Sequence, residues 1–146
     1  MDILIVEDDA WTASALKSNM EKWNHHVEAI NTCKEALNRA EEKRFDLAIL
    51  DIFLPDGKGH QLIPHLKALN HDIGIVTMTG SNSRELELEV RQEGISFYLI
   101  KPLSLKDLKR IVDHMNNRLK KEPKTPSFIS SVNNGNIFND SENERG

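Results

Sequence analysis

Glu7 and Asp8, Asp51, Thr79 and Lys101 stand directly after four separate apolar runs of the chain. If those runs are strands of one open parallel sheet, the residues converge at its carboxyl edge, where such sheets bind ligands. Three carboxylates, a hydroxyl and an ammonium then share one crevice. Crowded carboxylates resist joint ionisation, and a hard divalent cation among them relieves the repulsion. The chemistry implied is an oxygen-ligated Mg²⁺ site, with phosphoryl transfer beside it.

The elements that must position these groups are legible as alternating periods. Residues 2–6 (DILIV), 27–30 (VEAI), 47–50 (LAIL), 73–78 (IGIVTM) and 97–100 (FYLI) are short apolar runs of β-branched or aromatic character. One helix-period segment follows each. Residues 10–23 place Trp11, Ala15, Leu16, Met20 and Trp23 on one face. Residues 33–43 follow Thr32, with Glu35 three positions on, the signature of a capping box. Residues 60–69 carry Leu62, Ile63, Leu66 and Leu69, and residues 84–92 a weaker stripe of Leu86, Leu88 and Val90. The last helix opens at Ser104, has Asp107 in the reciprocal capping position and presents Leu105, Leu108, Ile111, Val112, Met115 and Leu119. Strands alternating with helices imply right-handed crossovers and a parallel sheet covered on both faces. The expected fold class is α/β, a (βα)₅ doubly wound domain.

At 146 residues the chain suits one domain with a real core. No apolar run has membrane-spanning length, and Met1 is followed at once by Asp2 and a strand, so a soluble cytoplasmic protein is expected. Cys33 alone cannot form an internal disulfide, and its place at a helix start suits packing rather than redox work. A net charge of −4 argues against a concentrated nucleic-acid surface. Lys106, Lys109, Arg110, Arg118, Lys120 and Lys121 read as the solvated side of the last helix, interleaved with Asp107 and Asp113. The six histidines lack the paired spacing of a zinc site and read as exposed loop and helix residues. Asp9 reads as a helix cap and Asp56 as a turn former beside Pro55 and Gly57.

Composition changes after Leu119. Pro123 and Pro126 prevent continuation of the last helix, and the rest is rich in Ser, Asn and acidic residues. The expected division is a domain over residues 1–121 and a disordered polar tail over 122–146.

Four motifs in order, ILIVEDD at 3–9, LAILDIFLPDGKG at 47–59, IVTMTG at 75–80 and FYLIKP at 97–102, make residues 1–121 resemble the receiver domain of two-component response regulators, of the single-domain type. The resemblance implies a flavodoxin-like sheet of order 2-1-3-4-5. It implies that Asp51 accepts a phosphoryl group from a histidine kinase or a phosphotransfer domain. Glu7, Asp8, Asp51 and the backbone carbonyl of Phe53 would hold Mg²⁺, Lys101 would neutralise phosphoryl charge, and Thr79 would hydrogen-bond it. Pro102 would follow a cis peptide bond. Tyr98 would be the aromatic switch that follows Thr79, and Phe53 and Ser81 would flank the path of hydrolytic water. The resemblance further implies a switched protein-interaction surface on the fourth helix, fifth strand and fifth helix. Glu85, Glu87, Glu89 and Glu93 there oppose Lys106, Lys109 and Arg110, which suits internal packing or a homodimer. One rival is a Mg²⁺-dependent aspartyl-phosphate phosphohydrolase of the haloacid dehalogenase type, which carries a second Asp where Phe53 stands. The other is a scaffold that is never phosphorylated.

Overall fold

The computed structural model describes residues 1–121. The expected tail, residues 122–146, lies outside the described residues. Residues 1–115 form one compact unit, and the last helix runs on to Lys121.

The chain runs β1 (Asp2–Val6), α1 (Ala10–Lys22), β2 (His26–Ile30), α2 (Cys33–Glu42), β3 (Leu47–Asp51), α3 (Ile63–Leu69), β4 (Gly74–Thr79), α4 (Arg84–Arg91), β5 (Phe97–Ile100) and α5 (Leu105–Lys121). The five strands are all parallel, in the order β2-β1-β3-β4-β5. This is the doubly wound sheet that the alternating periods imply. Its central strands are near-continuous apolar runs because both faces are covered. Ile3, Leu4, Ile5 and Val6 are all fully buried. Ile3 and Ile5 join Leu16 and Met20 of α1 and Leu108, Val112 and Met115 of α5 in one core layer. Leu4 and Val6 join Ala36 of α2 and Ile63 and Leu66 of α3 in the other. Each Leu, Ile, Val or Met among them contributes on the order of 1.5–3 kcal/mol when fully buried.

Helix starts follow local rules. Thr32 Oγ1 accepts from the Glu35 amide at 3.2 Å, Ser83 Oγ from Leu86 at 3.1 Å, and Ser104 Oγ from Asp107 at 3.3 Å. Three details depart from expectation. Between β3 and α3 the chain makes a small antiparallel hairpin, Phe53–Leu54 with Gly57–Lys58, and a 3₁₀ turn, Gly59–Leu62. The α-helical part there begins only at Ile63, with Pro64 in its first turn, where a missing amide proton is harmless. Trp11, expected on the apolar face of α1, is 86% exposed, and only Leu16 and Met20 of that helix are buried. His25 and His60, expected to be exposed, are both buried. Among the described residues, no helix is long and apolar enough to cross a membrane.

Candidate phosphoryl site at the carboxyl edge

Strand register brings the site together. Val6 lies opposite Leu50, Asp51 opposite Met78 and Thr79 opposite Ile100. Glu7, Asp51, Thr79 and Lys101 therefore fall within about a residue of one level along the neighbouring strand ends. The Lys101 ammonium donates to Glu7 Oε1 at 2.5 Å and to Asp51 Oδ2 at 3.1 Å. Glu7 and Asp51 are almost wholly buried, while Asp8 is exposed. The Asp9 amide donates to Glu7 Oε2 at 3.0 Å, and the Phe53 amide to Asp51 Oδ1 at 3.3 Å.

Carboxylate oxygens of Glu7, Asp8 and Asp51 lie within 4.8 Å of one another. An all-oxygen set, partly buried and open on the Asp8 side, matches what a hard divalent cation requires. Burial holds the Glu7 carboxyl above the usual range, Asp51 adds to the rise, and Lys101 opposes it. Burial alone would lower the Lys101 ammonium, but its bonds to Glu7 and Asp51 outweigh that and raise it. The buried pair of acids thus already keeps one cation in place, and the third carboxylate is the one that faces water.

Asp9 does not join the set. Its carboxylate caps α1, accepting from the Thr12 amide at 3.0 Å and the Thr12 hydroxyl at 2.5 Å, and those bonds hold its pKa low. Thr79 is fully buried and its hydroxyl bonds the next loop, donating to the Ser81 carbonyl at 3.2 Å and accepting from the Ser81 amide at 3.1 Å. Tyr98 is half-buried, donates to Asn82 Oδ1 at 2.6 Å and lies under the Arg91 guanidinium, 5.6 Å from the ring centre. Phe53 is 43% exposed, with the Lys58 ammonium 5.4 Å from its ring. The Lys101–Pro102 peptide is cis, as the resemblance implies.

The expected opposition of acidic α4 and basic α5 is not the pattern of ion pairs. Lys109 bonds Asp113 and Arg110 bonds Asp107 within α5, while Glu87 bonds Arg91 within α4. Side chains three or four positions apart on one helix are neighbours on its surface and pair readily.

Three residues matter more than local sequence suggests. Gly59 packs against the site: its amide donates to the Ile52 carbonyl at 2.6 Å, and no side chain fits on its Cα. Asp56, read as a turn former, accepts from the Cys33 and Lys34 amides at 2.8 and 3.0 Å and so ties the hairpin to the start of α2. Burial first, and then the Asp56 charge, push the Cys33 thiol up to about 11, which suits packing rather than redox work. His60 is buried against Glu89 of α4.

Comparison with known proteins covers the same region. The profile of the response regulator receiver domain matches residues 3–113. The transcriptional regulatory protein ZraR of Escherichia coli K12 is 32% identical over 113 residues, which is 77% of this chain and 26% of that protein. The chain thus spans about a quarter of the length of that relative. A CheY-like response regulator receiver domain protein from Methanospirillum hungatei superposes with TM-score 0.76 at 30% identity, covering 83% of this chain and 98% of the other. The beryllofluoride-activated NtrC4 receiver domain, solved as a dimer, superposes with TM-score 0.75 at 26% identity, covering 80% of this chain and 97% of the other.

Proposed function

The chain belongs to the response regulator receiver domain family, and from that premise we propose that it is phosphorylated on Asp51 and thereby changes its choice of protein partner. The donor is a histidine kinase or a phosphotransfer protein carrying phosphohistidine. An Asp51 oxygen attacks phosphorus, the P–N bond to the donor imidazole breaks, and an acyl phosphate forms. The observation that carries this reading is the buried Asp51 carboxylate held by the Lys101 ammonium at 3.1 Å, with Glu7 and Asp8 beside it.

The residues divide the work. Lys101 already bridges Glu7 and Asp51, so it can follow negative charge as it develops on the phosphoryl oxygens without reorganising the site. The Phe53 amide orients the Asp51 carboxylate from the other side. Glu7, Asp8, Asp51 and the Phe53 carbonyl would hold Mg²⁺. When bound, the ion neutralises charge shared between the carboxylates and the phosphoryl group. Thr79 supplies a hydroxyl that leaves Ser81 for a phosphoryl oxygen, and Tyr98 is the group whose setting changes with it. A local charge event then biases a two-state surface on α4, β5 and α5. That face exposes Leu88, Ile100 and Leu105, each about half exposed, and suits either a downstream protein target or a second copy of the chain.

The protein so described catalyses only its own phosphorylation and dephosphorylation, in the cytoplasm, without direct contact to nucleic acid. Phe53 weighs against turnover of small phosphate esters, because an apolar ring stands where a phosphohydrolase needs a second carboxylic acid. Intact-mass measurement after incubation with acetyl phosphate and Mg²⁺ tests the proposal. One labile phosphoryl adduct is expected, absent from Asp51→Asn. An adduct that persists in that variant refutes the assignment.

A further inference from the structure

His60 follows Gly59 directly, on the segment pressed against Asp51. Its side chain is 3% exposed, and Nε2 lies 2.5 Å from Glu89 Oε2 on α4. Nδ1 is buried with no hydrogen-bond partner among the described residues. The Glu89 side chain is 63% exposed. Buried imidazoles are uncommon without two satisfied nitrogens, so this one depends on Glu89 for its single polar contact. The two ends are unequal: Glu89 can turn into water at little cost, whereas His60 left behind has no bonded nitrogen.

A second contact holds the same helix farther along. Lys67 of α3 donates to the Glu93 carbonyl at 2.9 Å and the Gly94 carbonyl at 2.6 Å, just beyond the end of α4. The segment Gly59–Leu69 therefore grips α4 at two points, one of which, Glu89, can release. At its other end this segment has no slack. The Gly59 amide bonds the Ile52 carbonyl at 2.6 Å, and a Cβ on Gly59 would meet the Asp51 carbonyl oxygen at 1.8 Å.

We propose that His60 is a positioning residue whose contact with Glu89 holds α4 in the unphosphorylated arrangement, coupling the backbone behind Asp51 to that helix by a route separate from Thr79 and Tyr98. The inference rests on Asp51 being the phosphoacceptor. A backbone shift at Asp51 or Ile52 is passed to Gly59 by contact, turns the next residue, His60, and breaks the short contact to Glu89. Because coupling is reciprocal, removing the contact must ease activation by the same factor that activation weakens the contact.

Beryllofluoride with Mg²⁺, a phosphoryl mimic, provides the probe, with binding followed by the fluorescence of exposed Trp11. Glu89→Ala should bind it roughly three- to tenfold more tightly than the wild type, as expected for loss of one hydrogen bond that opposes the activated state. Glu89→Gln, which keeps an acceptor for His60, should bind as the wild type does. Amide exchange across α4 should be faster in Glu89→Ala before the mimic is added and the same as wild type after it. Equal or weaker binding by Glu89→Ala, with the wild type binding normally, overturns the coupling while leaving Asp51 as the acceptor. Absence of binding by the wild type overturns the acceptor assignment and the coupling with it.

Discussion

A methyl group on the Cα of Gly59 would stand 1.8 Å from the carbonyl oxygen of Asp51, so the turn after the hairpin is built around a side chain that is not there. The conflict is with backbone, which cannot rotate away. Gly59→Ala is therefore expected to displace Asp51 and to destabilise the fold by about 1–3 kcal/mol, the usual range for overpacking. Thermal denaturation should show a drop of several degrees, and acetyl phosphate labelling should slow. An unchanged melting temperature would mean that the loop yields freely.

The two neighbouring acids after β1 should separate by assay. Asp8 is exposed and shares the carboxylate cluster, whereas the Asp9 carboxylate caps α1 by accepting from the Thr12 amide and hydroxyl. Asp8→Ala should abolish the Mg²⁺-dependent change in Trp11 fluorescence. Asp9→Ala should keep it and lose about 1 kcal/mol of stability in urea titrations, as for other lost caps. Equal loss of Mg²⁺ affinity in both variants would refute the division.

Phe53 bears on how long the phosphoryl group lasts. Its ring is 43% exposed with the Lys58 ammonium 5.4 Å from the ring centre, and an apolar ring can neither orient nor bind water. Phe53→Asn should speed hydrolysis of the acyl phosphate by roughly tenfold if one positioned water lowers the barrier by about 1.4 kcal/mol. Decay of purified phosphoprotein with and without EDTA separates this intrinsic rate from any phosphatase. A half-life unchanged or lengthened in the variant would show that Phe53 does not shield the group.

Glu28 on β2 offers a test of acid sensitivity away from the site. Its carboxylate meets Arg39 Nε at 2.5 Å and Lys43 Nζ at 3.1 Å, and the Arg39 bond foremost holds its pKa below the ordinary value. The folded state then binds this proton less readily than the unfolded one. The stabilisation is present above the unfolded value of about 4.5 and is lost as pH falls through the lower folded value. Glu28→Gln should cost about 1 kcal/mol at pH 7, a modest figure for a partly exposed pair. That difference should shrink in denaturant titrations as pH falls through the lowered folded value, and a gap that persists once the carboxyl is protonated would show it arises from packing.

Sequence conveyed those parts of the molecule that depend on neighbours along the chain. Apolar runs at strand period and caps such as Thr32 and Ser104 are local, and they marked the five-stranded sheet and the residues at its carboxyl edge. What escaped notice depends on partners far away. Asp56 has the composition of a turn, yet its carboxylate binds amides 22 and 23 residues earlier. His60 sits at a helical start with polar neighbours, and only the fold brings it to Glu89, 29 residues on. Trp11 departs in the opposite sense: it is apolar and in helical register, yet in the first turn of α1 it is exposed, and burial is confined to Leu16 and Met20 farther along. The ion pairs within α4 and within α5 are likewise not legible from charge complementarity between the two helices, which says nothing of the closer partner within each.

β5 is an edge strand of four residues, hydrogen-bonded to the sheet through β4 alone, and Lys101 is the residue that follows it. The most buried part of the acid cluster is thus neutralised from the least anchored strand. Edge strands fray by local opening at free energies well below that of global unfolding. Each such opening withdraws the ammonium and leaves Glu7 and Asp51 facing each other inside the protein. The electrostatic cost of that state makes the carboxylates a restoring spring on β5, so the strand that would otherwise be the loosest of the five is held shut by the charge it serves.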